Sequence, residues 1–389
     1  MATSDISAER TGSVARLMEP GVADRPALSD GLPRAWLFPL AVFAATWVLI
    51  LATWYWSDAI YGHRHPWIWH FLIADTGFYR GIAQYGYTGD PARPAFFPLF
   101  PLLIHFASYL TGGNYLIAGL VTSIACGAAS AIGVWALAAR VCGRRVADHA
   151  VMLFCVFPGA MTFSILYSEP LAVALGAAAL LALLDRRWLL AGIVGALGTA
   201  ERPTLIVLAV VSGLAAVQAI WTRREWRALL APALTPLGMV AYFGYLWYRY
   251  HNFAHWFWVE NKGWHQHFDW GSHTFRMLLW LNPWDAHHKL WVVMLIIMFA
   301  VAVAGIALML AARLPLPVIL FGILTILLVV TSSNGDTRPR FVWTAFPIFI
   351  GAAAKLPRAI YWPVLILSAA GFVFLVGAWR HVFGIFAAP

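Results

Sequence analysis

Long apolar runs separated by short polar connections dominate this chain of 389 residues. Of these residues 61% are hydrophobic and 11% are charged, whereas a soluble domain carries about 25% charged residues. A soluble fold has no place for so much apolar surface, so the lipid bilayer must accept it. The runs therefore predict an all-α polytopic membrane protein with a bundle of about 10 to 12 transmembrane helices. They are 35–56, 96–111, 114–139, 146–166, 169–185, 188–200, 203–221, 228–249, 290–312, 315–332, 341–354 and 359–385.

The polar segments divide the chain into a tail and one membrane domain. The first 34 residues are polar, contain several arginines and precede an apolar run too long for the core of a signal peptide. They predict a disordered cytoplasmic tail at 1–34, followed by a single transmembrane domain at 35–389. Within that domain the segments 57–95 and 250–289 carry too many charges and histidines to cross hydrocarbon, so they are predicted to be long loops.

The formal net charge of +9 would suit a nucleic-acid partner, but the basic residues do not form one soluble face. They form clusters between apolar runs, as in the cytoplasmic connections of membrane proteins. This pattern predicts a cytoplasmic N-terminus, both long loops on the extracytoplasmic side, and no nucleic-acid partner. The clusters predicted to be cytoplasmic are Arg140/Arg144/Arg145, Arg186/Arg187, Arg223/Arg224/Arg227, Arg313 and Lys355/Arg358.

One connection conflicts with this orientation. The loop 57–95 and Arg140 can lie on opposite sides only if an odd number of crossings separates them, yet two apolar runs lie between them. The run 96–110, interrupted by Pro98 and Pro101, is interpreted as partly re-entrant, which is tolerated where protein or water covers the backbone. The alternative is that 188–200 and 203–221 form one bent span.

Cysteine and histidine patterns predict no metal site and no cofactor. The three cysteines, Cys126, Cys142 and Cys155, lie in or beside apolar runs and show no CxxC or Cys/His spacing. Most histidines lie in the two long loops. His251 and His255 have i, i+4 spacing, but no acid follows the first histidine as it does in a zinc-binding HExxH helix. Interfacial hydrogen bonding or sugar contact is the preferred interpretation.

The densest group of polar and turn-forming residues begins at Asp75. A short amphipathic helix is predicted from Asp75 to the turn at Gly86, just before the chain returns to the membrane at Pro98. An isolated aspartate in a loop is usually only solvated. A carboxylate fixed at the boundary of water and lipid is, however, well placed to take a proton from a hydroxyl group. Asp58, where the first apolar run ends, is the competing carboxylate.

The segment 75–101 resembles the first luminal loop of PIG-V-type mannosyltransferases, a branch of the GT-C membrane glycosyltransferases. The shared pattern is an Asp, an aromatic pair, Ile-Ala, Gly-Tyr, Ala-Phe-Phe-Pro and a second Pro. The family usually has Trp before this Asp, where this chain has Ala74, and many GT-C enzymes place an acid near the position of Asp58. Later family blocks resemble, in the same order, Tyr167-Ser168-Glu169-Pro-Leu, Ala191-Gly192 through Arg202-Pro203, and Arg340 with Pro347.

The resemblance implies a GT-C-like bundle that transfers a mannosyl residue from a polyprenyl-phosphate-mannose donor. The acceptor would be a hydroxyl group of a lipid, glycan or protein on the extracytoplasmic side. Transfer would be an inverting single displacement with Asp75 as general base, and cations would stabilise the departing phosphate. Arginine suits this role because it can bind two phosphate oxygens. The candidate phosphate-binding residues are Arg202, Arg340, Arg338 and Lys262, and the candidate substrate-binding residues are Tyr79, Arg80, Tyr167 and Glu169.

Each candidate also has a purely structural interpretation. A cation at the membrane surface can anchor the chain among lipid headgroups or pair with an acid, and Glu169 can complement the positive end of a helix. For the whole protein, the alternative is a multi-span transporter or flippase of a lipid-linked or small polar solute, and a subunit for assembly is a third hypothesis. Transporters usually carry mid-membrane ionisable residues and repeated halves, and neither pattern is evident in this sequence.

Overall fold

The computed structural model describes residues 35–61, 71, 75–279, 289–333 and 338–378, and these are almost entirely helical. Within these ranges the β pairing is limited to one isolated bridge between Phe268 and Ser332. The predicted tail at 1–34 lies outside the described residues. The helices are α1 (Leu37–Tyr61), α2 (Thr76–Tyr85), α3 (Leu99–Leu110), α4 (Tyr115–Cys142), α5 (Arg144–Val156), α6 (Glu169–Leu184), α7 (Trp188–Glu201), α8 (Val207–Arg223), α9 (Leu230–Leu234), α10 (Leu237–Tyr250), α11 (His255–Trp264), α12 (Ser272–Leu279), α13 (Lys289–Ala311), α14 (Leu316–Val330), α15 (Pro339–Thr344), α16 (Pro347–Lys355) and α17 (Arg358–Ala378).

Several of these helices are long and apolar enough to cross a bilayer. Among the described residues six segments meet that criterion, and a seventh does if α5 and the 3₁₀ turn Pro158–Ser164, bent by 71°, form one broken span. The helices α3, α6, α7 and α14 are apolar but shorter. The chain is therefore a multi-pass membrane protein, as predicted. The assignment of its two faces to the two sides of the membrane stays a prediction.

Helix α4 lies at the centre of the bundle and packs against α1, α3, α5 and α6. Its N-terminus is capped by Asn114, whose side-chain oxygen accepts the backbone N–H groups of Leu116 and Ile117, both at 3.1 Å. Where α4 meets α6, Gly133 lies directly against Ala177. Small residues of this kind let helix backbones approach closely, which stabilises helix pairs in lipid.

The two segments with uncertain topology are both built from short helices. Helix α3 has 12 residues and is therefore about 18 Å long, less than the roughly 30 Å of a hydrocarbon core. Pro98 and Pro101 stand at its start, where a missing N–H breaks no helical hydrogen bond. Helices α7 and α8 are separate, because Trp188–Glu201 is a short apolar helix and the segment Pro203–Arg223, which contains α8, is long enough to cross a bilayer by itself.

The described parts of the two predicted loops contain the short helices α2, α11 and α12. Helix α2 packs on α3, and α11 packs on α10 and on the 3₁₀ turn Arg93–Ala95. A small apolar cluster of Phe97, Tyr242 and Leu246 joins these elements. The two loops therefore meet over the same end of the bundle, and α2 and α11 form a layer there.

Candidate active site

Asp75 lies at the start of α2, beneath this layer. The residue is 8% exposed, and its carboxylate Oδ2 is 3.4 Å from Nη1 of Arg340. Two hydrogen bonds hold the backbone at Asp75 in place. The backbone N–H of Asp75 donates to the Tyr167 hydroxyl at 3.4 Å, and the hydroxyl group of the next residue, Thr76, donates to the carbonyl of Phe71 at 2.8 Å. The sequence prediction of a helix beginning at Asp75 agrees with this structure.

Arg340 is held in place by the helix α15 that carries it. One turn later, Trp343 is fully buried, stacks on Phe154 with ring centroids 4.5 Å apart, and donates its indole N–H to the Phe154 carbonyl at 2.9 Å. Gly159 makes this packing possible, because a Cβ atom there would collide with the backbone of Pro339 and with Trp343. The tight packing of Trp343 therefore fixes α15 and places the guanidinium group of Arg340 beside Asp75.

Glu169 links Arg340 to a second arginine. Its fully buried carboxylate stands in the first turn of α6, with Oε1 3.2 Å from Nη2 of Arg202 and 3.6 Å from Nη1 of Arg340. Asp75, Arg340, Glu169 and Arg202 therefore form one continuous network, which we call the acid–arginine network. The carboxylate also lies at the positive end of α6, so its helix-stabilising role and its bridging role coexist.

Two buried tyrosines line the network. The hydroxyl groups of Tyr79 and Ser168 are 2.9 Å apart, and the guanidinium of Arg340 lies 5.2 Å from the centre of the Tyr167 ring. Burial and the nearby carboxylates of Glu169 and Asp75 raise the pKa of both tyrosines above the ordinary value. Both phenols therefore stay neutral and act as hydroxyl donors or acceptors.

Two further carboxylates, which the sequence did not single out, belong to the same region. Glu201 ends α7 directly before Arg202 and is 2% exposed, and neither of its carboxylate oxygens has a hydrogen-bond partner among the described residues. Glu260 on α11 lies near enough for the charges of Asp75 and Arg340 to affect its pKa. The position of Glu201 at the end of an apolar run was a signal that the sequence offered. Glu260 can be selected only when the packing of α11 is known.

Among the described contacts, the remaining predicted residues form no ion pair with the network. Arg80 is on α2 and forms no hydrogen bond or ion pair with the described residues, and Arg338 stands two residues before Arg340 at the start of α15. Lys262 is exposed, with its ammonium group 4.7 Å from the centre of the Trp258 ring. Asp58, the competing carboxylate, lies in the last turns of α1, a helix that packs against α17.

The turn that follows α2 explains several residues of the 75–101 motif. Gly86 has φ = 66° and ψ = −158°, a backbone conformation that favours glycine. Arg93 donates to the carbonyls of Gly86 and Thr88, and the Tyr87 hydroxyl donates to the Phe96 carbonyl at 2.8 Å. These contacts stabilise the loop beneath α11 and hold α2 in position. Much of the motif therefore supports the network without entering it.

Within the described ranges, no group of three or more His, Cys, Asp or Glu side chains is arranged to hold a metal ion. The histidine ring of His255, one of the i, i+4 pair, stacks on Tyr250 with centroids 4.0 Å apart. The loop segments 62–70 and 280–288, which hold other histidines, lie outside the described residues.

Comparison with known proteins identifies the fold. No protein-family model and no curated protein matches the sequence. Among solved structures, ArnT from Cupriavidus metallidurans bound to undecaprenyl phosphate is similar, with a TM-score of 0.52 and 16% sequence identity over 85% of this chain and 62% of that one. The chain thus spans less than two thirds of the length of that protein. The predicted fold class, an all-α GT-C-like membrane bundle, is confirmed.

Proposed function

We propose that this protein is a membrane glycosyltransferase that transfers a sugar from a polyprenyl-phosphate donor to a hydroxyl group on the extracytoplasmic side. The observation that carries the proposal is the acid–arginine network, in which Asp75 meets a chain of two arginines at one end of the bundle. The similar fold of ArnT, which was solved with undecaprenyl phosphate bound, supports a lipid phosphate as the ligand of those arginines.

The proposed reaction is one inverting displacement. The acceptor oxygen forms a bond to the anomeric carbon of the sugar while the bond from that carbon to the phosphate oxygen breaks. Asp75 takes the acceptor proton, and the bonding electron pair leaves with the polyprenyl phosphate. Arg340 and Arg202 stabilise the negative charge that grows on the phosphate, because each guanidinium has several N–H donors and only some face the carboxylates.

Arg340 also controls when Asp75 is available as a base. Its separation from Asp75, 3.4 Å, is long beside the roughly 2.7 to 2.9 Å of a strong charge-assisted hydrogen bond. A phosphate that draws Arg340 towards itself releases the carboxylate for the acceptor proton. Glu169 keeps Arg340 and Arg202 together during this exchange, since one of its oxygens touches both. Tyr79 and Tyr167 supply neutral hydroxyl groups beside the reacting atoms.

The resemblance of the 75–101 segment to PIG-V-type enzymes favours mannose as the sugar. In this proposal Arg338 and Lys262 guide the anionic donor from the membrane surface, and Arg80 lies one turn from Asp75 on the acceptor side. The N-terminus is cytoplasmic, and the network faces the extracytoplasmic space, where polyprenyl-phosphate sugars act as donors. The acceptor is a lipid, a glycan or a protein.

The test uses the full chain in lipid vesicles with radiolabelled undecaprenyl-phosphate-mannose and a panel of lipid, glycan and peptide acceptors. We expect Asp75→Asn to lower transfer about 10²- to 10⁴-fold, the usual contribution of a general base. Asp185→Asn, the same change at the other end of the bundle, is the control and should transfer like the wild type. Loss of transfer in Asp58→Asn but not in Asp75→Asn would assign the base to Asp58. Movement of a solute across sealed vesicles without glycoside formation would favour the transporter.

A further inference from the structure

Helix α11 turns one aromatic face towards the network. The indole N–H of Trp256 donates to the Ala95 carbonyl at 3.0 Å, and the Trp264 ring packs edge-on against Phe78 and Phe96, at 5.8 Å and 5.6 Å. Residues four apart lie on the same face of a helix. Glu260 lies four residues after Trp256 and four before Trp264, so its side chain projects from the face that covers α2.

The carboxylate of Glu260 is half-buried, yet it forms no hydrogen bond or ion pair with the described residues. The pKa of Glu260 is raised to about 8. Burial is the largest cause, the charge of Asp75 adds to the increase, and the charge of Arg340 opposes it. The charges of Asp75 and Arg340 therefore act on Glu260, which agrees with its place on the face of α11 that carries Trp256 and Trp264. Ligand hydroxyl groups are donors from which a half-buried carboxyl group of this kind can accept hydrogen bonds.

The position of Glu260 distinguishes the acceptor from the donor. Whether protonated or ionised, the Glu260 carboxyl group adds no positive charge beside Asp75, so it does not belong to the cationic site for the donor phosphate. Its two oxygens can instead bind two neighbouring hydroxyl groups at once, both as acceptors when ionised, or one as donor and one as acceptor when protonated. Adjacent hydroxyl groups are a feature of sugars and are absent from a serine or threonine side chain.

We propose that Glu260 binds neighbouring hydroxyl groups of the acceptor next to Asp75, and that the acceptor is therefore a sugar residue of a glycan or glycolipid. This inference rests on the proposed glycosyl transfer. Glu260 contacts the acceptor, orients the attacking hydroxyl group towards Asp75, and contributes to acceptor selection. The aromatic rings of Trp264 and Phe78 beside it form the apolar wall of the same subsite.

The test compares Glu260→Gln, Glu260→Asp and Asn261→Ala in the full chain reconstituted in lipid. Asn261 is exposed on the same helix and serves as the control. The donor is undecaprenyl-phosphate-mannose, and the acceptor probes are a total membrane glycolipid extract and serine- and threonine-containing peptides. Initial rates over a range of acceptor concentrations give KM and kcat, and a separate titration gives the Kd for undecaprenyl phosphate.

Above pH 8, where the Glu260 carboxyl group is ionised, we expect Glu260→Gln to raise the KM for the glycolipid extract about 10- to 100-fold, as for the loss of hydrogen bonds to a charged group, while the Kd for undecaprenyl phosphate changes less than about twofold. Glu260→Asp should recover part of the loss, and Asn261→Ala should match the wild type. Three results would each overturn the inference while leaving glycosyl transfer intact. They are an unchanged KM in Glu260→Gln, a loss of undecaprenyl phosphate binding as large as the rise in KM, and transfer by the wild type to peptides alone. A wild-type protein that makes no glycoside from any probe would remove the proposed function and this inference together.

Discussion

The two ends of α6 both carry ion pairs, but the pairs differ in their surroundings. At the Asp185 end, Arg140 pairs with Asp185 at 3.1 Å and Arg186 with Glu225 at 3.2 Å, and these side chains are 30% to 50% exposed. At the Glu169 end, the arginine side chains of the network are 15% and 16% exposed, and the Glu169 side chain is 0% exposed. Helix α6, of 16 residues, separates the two ends by about 24 Å.

This difference favours the Glu169 end as the ligand site. Exposed ion pairs contribute about 0 to 1 kcal/mol, and their usual role in a membrane protein is to mark a loop. Buried ion pairs cost desolvation that their attraction only partly offsets, so stability alone is a poor reason to keep them. At the Glu169 end both carboxylate oxygens of Glu201 are buried without a hydrogen-bond partner among the described residues, and Glu260 is a further, half-buried acid. Unpaired groups of this kind are expected where a substrate supplies the missing contacts.

The largest expected effect on sugar transfer comes from substituting Arg340 at the buried end of α6. Arg340→Gln should lower transfer from undecaprenyl-phosphate-mannose about 10²- to 10³-fold, because it removes a donor that stabilises the departing phosphate. Arg140→Gln makes the same change at the Asp185 end and should leave the rate within about twofold, since its partner remains solvated. Vesicle assays with both variants measure the contrast. Equal rates in the two variants would show that the buried end has no special role in transfer.

A second contrast concerns stability. Glu169→Gln should lower the free energy of unfolding by about 3 to 5 kcal/mol, because it leaves two buried guanidinium groups without their shared carboxylate. Asp185→Asn should lower it by about 1 kcal/mol or less, because both members of that pair reach water. Denaturant titration of both variants in detergent micelles gives the values. A smaller loss for Glu169→Gln than for Asp185→Asn would contradict the interpretation of the network.

The pH dependence of stability should reveal Glu260. Its pKa is raised to about 8, first by burial and then by the charge of Asp75. The folded protein therefore binds a proton more tightly than the unfolded chain, and the stability from this group is lost as the pH rises from about 5 to about 8. Removing the group should flatten that decline, so the wild type should lose more stability than Glu260→Gln between pH 5 and pH 8. Parallel curves for the two proteins would show that Glu260 titrates normally.

The smallest expected effect is at Glu201. Both of its carboxylate oxygens are buried without a hydrogen-bond partner among the described residues, so a neutral amide of the same shape removes a desolvation cost that offsets the lost attraction to the neighbouring Arg202. We expect Glu201→Gln to change the free energy of unfolding by less than about 1 kcal/mol, or to raise it slightly. The same titration as for Glu169→Gln measures it. A loss as large as that of Glu169→Gln would mean that Glu201 holds Arg202.

The sequence predicted the helices well because lipid leaves the backbone few choices. The run 290–312 became Lys289–Ala311 and the run 188–200 became Trp188–Glu201, since every backbone group in a membrane must be bonded within its own helix. Asp75, Glu169, Arg202 and Arg340 were selected as separate candidates, and the structure brings all four into one network. Their catalytic and binding roles stay predictions.

The sequence failed where tertiary packing decides which face of a helix is used. Lys262 was selected for its charge, whereas Glu260 was overlooked, although only two residues separate them. A helix turns by about 100° per residue, so these two side chains point in nearly opposite directions. Only the packing of Trp264 on α2 and of Trp256 on the turn Arg93–Ala95 determines which of them faces Asp75. The spacing of those tryptophans was the available signal, but it indicates a face only after the partner of α11 is known.

The shortness of α3 and α7 has a consequence for the membrane itself. Both helices expose apolar side chains, and their lengths of about 18 and 21 Å fall roughly 9 to 12 Å short of an average hydrocarbon core. A hydrophobic mismatch of this size is relieved by local thinning of the bilayer. Local thinning would bring the lipid headgroups closer to Glu169. A long isoprenoid could then place its phosphate at the network while its tail stays in the leaflet.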